Sequence, residues 1–366
     1  MNKYFSVLVK PASSLCNLRC KYCFYSDVSE NRSVASTGIM SSETSAILVQ
    51  RIAEELEGSG TVSISFQGGE PTMAGLDYFR NFISLMKRYP EIVPVYSIQT
   101  NGTMIDKEWA EFFKENGFLV GISLDGYQSN MDKFRYDPLK RSIYFKVLQC
   151  LDELDKAGVE YNVLTVVTSE LARHPDALFK FFATHHFNYV QLIPCLPGLN
   201  DEENEMALKP ELFLSFYKDF FACWNRNYQN GGPVISVNLF ENLACMLKGY
   251  EPYQCGMLGK CTIHSVIEAN GDVYPCDFYC LDEYLLGNIK DASFTEMRNG
   301  SKAAKFLAAE DCKKKPCETC KYINLCNGGC RRQNVCYLKD DHCAYQELLD
   351  LVLPFIYSYI QSNDPK

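Results

Sequence analysis

The chain has 366 residues, of which 36 are Lys or Arg and 45 are Asp or Glu, so its formal charge is −9. This charge excludes the basic surface that binds nucleic acids or anionic membranes, and a hydrophobic content of 47% is typical of a soluble globular protein. No segment approaches the ~18 uncharged apolar residues of a membrane span, and the first residues, MNKYFSVLVKPASS, lack the pattern of a signal peptide. We therefore expect a cytoplasmic protein with no nucleic-acid or membrane partner.

The 18 cysteines require an explanation, because a chain of this length does not need disulfides to be stable. Three explanations compete: a secreted disulfide scaffold, structural zinc sites and iron–sulfur clusters. In a reducing cytoplasm, clustered cysteines are metal ligands more often than disulfides. The expected location therefore favours the two metal explanations.

Short β-branched runs alternate with amphipathic helical patterns through the first half of the chain, which predicts βα units around a parallel sheet. The six predicted strands are Ser6–Lys10, Thr61–Phe66, Val95–Thr100, Leu119–Leu124, Tyr161–Val167 and Tyr189–Pro194. The helical patterns between them are Ser42–Leu56, Asp77–Arg88, Lys107–Asn116, Ile143–Ala157 and Pro175–Thr184. Gly117 and Gly158 follow two of these helices and are expected to end them. Six strands predict an α/β fold with a partial (β/α)6 barrel of the TIM type.

The pattern changes after about residue 197, where an acidic loop is predicted at 201–205. Three further helices are predicted, at Pro210–Tyr228, Asn238–Lys248 and Tyr345–Ile360. Between Cys255 and Cys343 the chain has 11 of its 18 cysteines and little continuous apolar sequence, which indicates a second domain organised by metal. We divide the chain into a barrel at 1–235, a cysteine-rich domain at 236–343 and a C-terminal helix at 344–366.

Three cysteines lie on one tight loop directly after the first predicted strand, with the spacing Cys16-x3-Cys20-x2-Cys23. A structural zinc site usually takes four ligands from paired C-x2-C elements, so a loop with three cysteines fits zinc poorly. A [4Fe–4S] cluster on three thiolates keeps one iron open, and that iron can chelate the amino and carboxylate groups of S-adenosylmethionine. Three buried cysteines without a metal are the remaining alternative.

The string CNLRCKYC at 16–23 resembles the signature loop of radical S-adenosylmethionine enzymes. Gly68-Gly69-Glu70-Pro71 resembles the motif of that family whose backbone and Glu hold the methionyl amino group. Alone, such a string indicates a turn, but here it follows the second strand. The resemblance implies that the cofactor is contacted by Tyr22, Gly68, Gly69, Glu70, Ser123, Arg135 and Leu196.

Ser123 and Arg135 come at or after the end of the fourth strand, and this architecture places its chemistry at such strand ends. By resemblance both contact the methionine part of the cofactor, with the guanidinium pairing its carboxylate. Tyr22 and Leu196 would lie beside the adenine. From the residues alone, Arg135 as a surface arginine, Leu196 as a core leucine and Tyr22 as an aromatic packed on the cysteine loop remain alternatives.

The later cysteines run Cys261-x9-Gly271-x4-Cys276, then Cys317-x2-Cys320-x5-Cys326-x3-Cys330, and finally Cys343. This spacing matches the SPASM extension of radical S-adenosylmethionine enzymes, and Cys255 adds an eighth thiolate. By resemblance, an inner auxiliary [4Fe–4S] cluster takes Cys255, Cys261, Cys276 and Cys330. An outer auxiliary [4Fe–4S] cluster takes Cys317, Cys320, Cys326 and Cys343.

With the first loop, these two sets imply three [4Fe–4S] clusters. Cys336 competes with Cys343 for the last position of the outer cluster. Zinc remains an alternative, because Cys317-x2-Cys320 alone is half of a zinc ribbon. Eight thiolates fill every ligand position of both auxiliary clusters, which favours clusters that carry electrons. A substrate radical that loses an electron to such a cluster is oxidised, so the expected reaction is an oxidation.

Phe66–Pro71, Tyr274–Tyr279, Leu286–Ile289 and Gly328–Arg332 resemble the anaerobic sulfatase-maturating enzymes, and the likeness extends over nearly the whole chain. Those enzymes oxidise a Cys or Ser in a sulfatase Cys/Ser-x-Pro-x-Arg motif to Cα-formylglycine. The resemblance therefore implies an unfolded or nascent sulfatase as the peptide substrate. It also implies a low-potential electron donor such as flavodoxin or ferredoxin.

Asp277 follows the predicted ligand Cys276 and is the candidate catalytic residue. After hydrogen abstraction from Cβ, the substrate thiol or hydroxyl must lose its proton, and a carboxylate at this position is placed to accept it. A turn aspartate that binds backbone donors is the alternative. By resemblance, Gln67 and Tyr25 are expected to position the substrate.

Two other functions are compatible with the cysteine patterns. A radical peptide-modifying enzyme that makes thioether or carbon–carbon cross-links shares both patterns, although no N-terminal precursor-peptide recognition domain is recognisable. A zinc-ribbon or electron-transfer protein without a substrate would leave the loop at 16–23, the string at 68–71 and Arg135 unexplained.

Overall fold

The structure, a computed structural model, describes residues 3–200, 204–309 and 313–363, with side chains to residue 361. Cys312 and most of the acidic segment predicted as a loop at 201–205 lie outside the described residues. The chain forms two compact units. Unit 1 contains residues 1–123, 132–161 and 262–309, and unit 2 contains residues 124–131, 162–261 and 310–366. The predicted domain boundaries after 235 and 343 stay predictions.

Ten β-strands occur in the described part of the chain: β1 Tyr4–Val9, β2 Gly60–Phe66, β3 Ile92–Thr100, β4 Leu119–Ser123, β5 Tyr161–Val167, β6 Tyr189–Pro194, β7 Ser236–Val237, β8 Val266–Ile267, β9 Asp272–Tyr274 and β10 Gly287–Asn288. The first six are the predicted strands, with bounds within three residues of the prediction. Strands β7–β10 are missed from the sequence, because two or three residues show no measurable alternation.

The described residues form thirteen α-helices: α1 Phe24–Glu30, α2 Ser42–Glu55, α3 Leu76–Met86, α4 Lys107–Glu115, α5 Gln128–Phe134, α6 Tyr144–Ala157, α7 Pro175–Thr184, α8 Pro210–Gln229, α9 Asn238–Leu247, α10 Phe294–Asn299, α11 Ser301–Leu307, α12 Ile323–Cys326 and α13 Ala344–Asn363. All eight predicted helices are confirmed. Local signals set their ends: the Asp106 side chain caps α4 by accepting from the Trp109 N–H at 3.1 Å, and Gly158 ends α6 with φ of 67°.

In unit 1 the strand order is β10-β9-β8-β1-β2-β3-β4. Strands β8, β1, β2, β3 and β4 run parallel to one another, whereas β9 is antiparallel to both β8 and β10. The residues of β2 alternate between buried and half-buried, and Phe66 at its end packs against Phe79 and Phe82 of α3 at ring-centre distances of 5.0 and 5.3 Å. Helix α3 therefore packs on one face of the sheet at the end of β2.

In unit 2 the strands β5, β6 and β7 are parallel and adjacent in that order. The long helices α8 and α13 pack through aromatic rings, because Phe355 contacts both Phe221 and Trp224 at ring-centre distances of 5.5 and 5.7 Å. This apolar seam holds the C-terminal helix α13 against α8. No helix in the described ranges has both the length and the apolar character needed to cross a membrane.

Candidate active site

The carboxyl ends of β1, β2 and β3 lie side by side in unit 1, because these strands are adjacent and parallel. Lys10 follows β1, Gln67 follows β2 and Thr100 ends β3. The cysteine loop at 16–23 also comes directly after β1. Motifs that are distant in the sequence therefore share this edge of the sheet, which is where barrels of this type place their chemistry.

The turn at Gly68–Glu70 is bonded to the backbone of the segment that leads into the cysteine loop. The Gly69 N–H donates to the Ser13 carbonyl at 2.8 Å, and the Glu70 N–H donates to the Leu15 carbonyl at 2.7 Å. Gly68 has φ of +118°, which side-chain-bearing residues rarely adopt, and a Cβ on Gly69 would overlap the backbone of Leu15. Both glycines are therefore required for this close approach.

Glu70 is 1% exposed, and both of its carboxylate oxygens are bonded. Oε1 accepts from the Thr72 N–H at 3.0 Å, the Thr72 hydroxyl at 2.5 Å and the Thr100 hydroxyl at 2.7 Å. Oε2 accepts from the Asn101 N–H at 2.7 Å. Burial raises the pKa of Glu70, and these donors partly offset the rise. The carboxylate thus joins its own turn to the end of β3, while its contact with the methionyl amino group stays a prediction.

The Cys16 thiol lies among residues predicted to bind the cluster and the cofactor. Burial raises the pKa of Cys16 to about 11, and Glu70 and Cys23 add to this rise. The Leu18 N–H and the Arg135 guanidinium both oppose it. Cys16, Cys23, Glu70 and Arg135 are therefore electrostatic neighbours in unit 1. The structure brings the first cysteine loop and two predicted cofactor residues together.

Arg135 is 7% exposed, so the alternative of a surface arginine is wrong. Its Nε donates to the Tyr22 hydroxyl at 3.1 Å, and the guanidinium carbon lies 5.8 Å from the centre of the Tyr22 ring. The Ser123 hydroxyl accepts from the Gln99 side chain at 3.1 Å, a contact that the sequence did not indicate. Leu196 is half-buried in unit 2, just after β6. The cofactor roles of these residues stay predictions.

Both oxygens of the Asp277 carboxylate have a partner in unit 1. The Lys10 ammonium lies 2.9 Å from Oδ1, and the Tyr25 hydroxyl donates to Oδ2 at 2.6 Å. The same hydroxyl lies 3.1 Å from the side-chain oxygen of Gln67. The Asp277 side chain remains 18% exposed. Asp277, Tyr25 and Gln67, which were predicted separately, therefore form one hydrogen-bonded group.

Lys10 is the residue of this group that sequence reasoning missed. Its side chain is 3% exposed, and its ammonium donates to the Cys280 sulfur at 3.2 Å and lies 3.8 Å from Glu268 Oε1. Glu268 Oε1 also lies 2.6 Å from the guanidinium of Arg32. Burial lowers the pKa of the ammonium, but Asp277, Cys280 and Glu268 together raise that pKa by more. The net shift is upward, so the ammonium is charged. A lysine directly after a buried strand requires an acidic partner, and this was the available signal.

Aromatic packing fixes the short turn Asp277–Tyr279 that carries the carboxylate. The Phe278 ring packs on Phe24 of α1 with a centre distance of 5.0 Å. The Tyr279 ring contacts Phe306 of α11 at 5.7 Å. The turn is therefore held on both sides within unit 1, and Asp277 does not depend on its ionic contacts alone for its place.

The first group of later cysteines in unit 2 consists of Cys255, Cys261 and Cys330. Burial raises the pKa of Cys255 to about 11, and the nearby Cys330 and Cys261 add to the rise. Burial also raises the pKa of Cys261, with Arg331 opposing it and Cys330 adding to it. Three of the four residues predicted for the inner auxiliary cluster are therefore mutual neighbours, and the fourth, Cys276, belongs to unit 1.

The second group consists of Cys317, Cys320, Cys326 and Cys343. Burial raises the pKa of Cys326 to about 11; the Gly328 N–H opposes the rise, and Cys343, Cys320 and Cys317 add to it. All four residues predicted for the outer auxiliary cluster are thus electrostatic neighbours.

Cys336, the competitor for the last position of the outer cluster, has other neighbours. It is fully buried, and its thiol donates to the Cys195 carbonyl at 3.6 Å. Burial raises the pKa of Cys195 to about 12, with Cys336 adding to the rise. The geometry favours Cys343 over Cys336 as the fourth member of the second group.

The cysteine side chains fit iron–sulfur clusters by their chemistry. None of the 17 described cysteines is in a disulfide. Over the same residues, no group of three or more His, Cys, Asp or Glu side chains could hold a single metal ion. A [4Fe–4S] cluster binds each thiolate through a different iron, and a donor set made only of thiolates is typical of such clusters.

Two family models match the chain. The Radical SAM superfamily model matches residues 11–182, and the SPASM model, an iron-sulfur cluster-binding domain, matches residues 257–321. These matches define a radical S-adenosylmethionine protein with an iron–sulfur-binding extension. The predicted fold class, a partial (β/α)6 barrel followed by a SPASM domain, is confirmed.

Curated relatives narrow this class. A cysteine-type anaerobic sulfatase-maturating enzyme of Clostridium novyi is 43% identical over 334 residues, which cover 90% of this chain and 88% of the relative. A serine-type anaerobic sulfatase-maturating enzyme of Bacteroides thetaiotaomicron is 30% identical over 345 residues, which cover 88% and 82%. The chain belongs to the anaerobic sulfatase-maturating enzymes, a family of radical S-adenosylmethionine oxidoreductases.

Solved structures agree with this assignment. The structure described as native anSMEcpe with bound AdoMet and Kp18Cys peptide has a TM-score of 0.89 and 37% identity, covering 98% of this chain and all of that one. Streptococcus suis SuiB bound to precursor peptide SuiA has a TM-score of 0.62 at 16% identity, covering 93% of this chain and 74% of that one. The second match shows a shared fold only.

Proposed function

We propose that this chain oxidises a cysteine side chain in a sulfatase Cys-x-Pro-x-Arg segment to Cα-formylglycine. Family membership supports the reaction. Cysteine as the target is supported by identity, because the relatives named cysteine-type are 40–43% identical and those named serine-type are 28–30% identical. The observation that carries the proposal is the Asp277 carboxylate, which is ionically held, partly exposed and bonded to Tyr25.

The proposed cofactors are S-adenosylmethionine and three [4Fe–4S] clusters. The proposed ligands of the first cluster are Cys16, Cys20 and Cys23. Those of the inner auxiliary cluster are Cys255, Cys261, Cys276 and Cys330, and those of the outer one are Cys317, Cys320, Cys326 and Cys343. When bound, these groups supply a 5′-deoxyadenosyl radical that removes a hydrogen atom from the substrate Cβ, and an acceptor for the second electron.

The protein side chains supply positioning and a proton acceptor. Asp277 takes the proton of the substrate thiol as the second electron leaves, so a thioaldehyde forms and water converts it to the aldehyde and hydrogen sulfide. The Tyr25 hydroxyl and the Lys10 ammonium orient the carboxylate. Gln67, which is bonded to the same hydroxyl, is placed to contact the substrate beside the acceptor.

We further propose Arg135 as the cationic partner of the cofactor carboxylate, because it is buried beside Cys16 and Tyr22. The partners are an unfolded or nascent sulfatase and a low-potential donor such as flavodoxin or ferredoxin. Thiol-rich ligand sets require a reducing compartment, so we place the protein in the cytoplasm.

The test is an anaerobic assay with S-adenosylmethionine, a strong reductant and a peptide containing Cys-x-Pro-x-Arg. We expect one aldehyde per 5′-deoxyadenosine formed, detected by mass spectrometry and hydrazine labelling, and a slower reaction with the matched Ser peptide. Deoxyadenosine formed with a cross-linked peptide and no aldehyde would identify a peptide cross-linking enzyme. Neither product from a cluster-loaded protein would reject the proposed reaction.

The cluster assignment has a matched control in the chain. Iron and sulfide analysis should give about twelve iron atoms per chain for three four-iron clusters. Cys343→Ala should remove about four of them, whereas Cys336→Ala, which changes a buried thiol with other neighbours, should retain all. The reverse result would assign Cys336 to the outer cluster, and a colourless protein with stoichiometric zinc would reject the clusters.

A further inference from the structure

We propose that Lys10 is a positioning residue that holds the Asp277 carboxylate in the orientation needed to accept the substrate proton. This proposal deepens the proposed function and rests on it. Lys10 lies in unit 1 directly after β1, whereas Asp277 lies after β9, and the two strands are linked through β8. The ammonium therefore connects the edge of the barrel sheet to the turn that carries the carboxylate.

The contacts of Lys10 fix the rotation of the carboxylate. The ammonium lies 2.9 Å from Oδ1, while the Tyr25 hydroxyl binds Oδ2 at 2.6 Å. Lys10 also lies 4.9 Å from the centre of the Tyr25 ring, so the two partners of Asp277 support each other. With one partner on each oxygen, rotation about the Cβ–Cγ bond breaks at least one contact. Neutral replacement of Lys10 removes this restraint on the Oδ1 side.

The ammonium is itself held on its other side. Cys280 accepts from it at 3.2 Å, and Glu268 lies 3.8 Å away and is paired with Arg32 at 2.6 Å. The Cys280 thiol donates in turn to the Cys276 carbonyl at 3.6 Å, so it adds no charge to this group. Two cations, Lys10 and Arg32, therefore balance two carboxylates, Glu268 and Asp277. This charge balance offsets the cost of burying the four ionic side chains. It also holds the Lys10 ammonium in one position.

The chemistry assigns Lys10 to the step after hydrogen abstraction. Its ammonium contacts Asp277, and the carboxylate acts when the substrate thiol loses its proton. Replacement of Lys10 should therefore lower the rate of aldehyde formation about 10- to 100-fold, as expected for loss of the charged partner of a buried carboxylate oxygen. The KM for the peptide and the rate of 5′-deoxyadenosine formation should change less than twofold, on the order of surface-mutation effects.

The experiment is a double-mutant cycle of Lys10→Met and Asp277→Asn on the cluster-loaded enzyme. If Lys10 acts through Asp277, Lys10→Met should have little further effect in the Asp277→Asn background. Fully multiplicative effects would overturn the proposal. Lys3→Met is the matched control, because Lys3 lies just before β1 and its ammonium forms an exposed pair with Glu57. Absence of aldehyde from the unmodified enzyme would instead reject the proposed function.

A second variant separates positioning from charge balance. Lys10→Met leaves one uncompensated carboxylate, and the double variant Lys10→Met/Glu268→Gln restores neutrality without restoring the contact to Asp277. We expect the double variant to recover iron content and thermal stability while aldehyde formation stays slow. Recovery of the aldehyde rate would show that Lys10 provides charge balance only and would overturn the positioning role.

Discussion

Two carboxylates, Glu70 and Asp277, lie at the same edge of unit 1 but differ in burial and in their bonding partners. Glu70 is 1% exposed and is bonded by four neutral donors from Thr72, Thr100 and Asn101. Asp277 is 18% exposed and is bonded by one ammonium and one phenol. Glu70 therefore accepts from three donors on Oε1 and one on Oε2, whereas Asp277 has one partner on each oxygen and keeps more sites for another group.

The difference separates a structural carboxylate from a reactive one. Glu70 holds the end of β3 to its own turn, and a change there should affect every activity that needs this edge of the sheet. Asp277 retains access and acceptor capacity, so a change there should affect only the step that uses a proton acceptor. The ratio of aldehyde to 5′-deoxyadenosine distinguishes these two cases.

The largest effect is expected for Asp277→Asn. An amide retains the size of the carboxylate but cannot accept the substrate proton, so aldehyde formation should fall by about 100-fold or more. Formation of 5′-deoxyadenosine in the presence of peptide should continue. Both products are measured by mass spectrometry in one anaerobic reaction. Asp282→Asn, in an exposed turn nearby, is the control, and an unchanged aldehyde yield for Asp277→Asn would remove Asp277 from the mechanism.

Glu70→Gln should lower both products together. The new amide nitrogen faces at least one of the donors that now bind the carboxylate, and each buried donor without an acceptor costs about 1–3 kcal/mol of stability. We expect this loss in denaturant unfolding of the anaerobic protein, together with weaker S-adenosylmethionine cleavage. Glu54→Gln, at an exposed ion pair of α2, should be neutral. A selective loss of aldehyde would contradict the structural role of Glu70.

Tyr25→Phe should have an intermediate effect on the aldehyde. It removes the hydrogen bond to Asp277 Oδ2 but keeps the ring that packs beside Lys10. Loss of a bond to a charged group at a partly exposed site should slow aldehyde formation about tenfold, which corresponds to about 1.4 kcal/mol. The exposed Tyr250→Phe serves as the control. Equal loss of 5′-deoxyadenosine would place Tyr25 in cofactor binding instead.

The smallest effect is expected for Thr100→Val. The substitution keeps the shape of the side chain and removes one of four donors to Glu70, which retains three. A decrease of about 1 kcal/mol in the free energy of unfolding is expected, with the product ratio unchanged. A changed product ratio would show that the Glu70 network reaches the reacting groups.

The sequence allowed the regular elements and the cysteine loops to be predicted, because both depend on local order. Helices of nine or more residues and strands of five or more show their period, and Cys16, Cys20 and Cys23 are defined by spacing alone. The hydrogen-bonded group of Asp277, Tyr25 and Gln67 could be predicted only in part. Tyr25 and Asp277 are 252 residues apart, and their contact depends on the pairing of β8 with β1, which two-residue strands do not reveal.

Lys10 was missed for a related reason. In the sequence it is an ordinary polar residue at the end of a strand, and its burial becomes apparent only when Glu268 and Asp277 lie beside it. The string Gly68-Gly69-Glu70-Pro71 could be recognised from motif resemblance, but the four neutral donors to Glu70 could not, since Thr100 ends β3 and Asn101 follows it, about 30 residues further along the chain.

The pairing of β1 with both β2 and β8 has a consequence for biosynthesis. Residues 60–66 can cover one edge of β1 early, but its other edge waits for residues 266–267. At about 5–20 residues per second, the chain between them takes roughly 10–40 s to be made. During that interval the nascent protein displays an open strand edge beside the cysteine loop, which is the kind of surface that chaperones cover and that aggregates when they are absent.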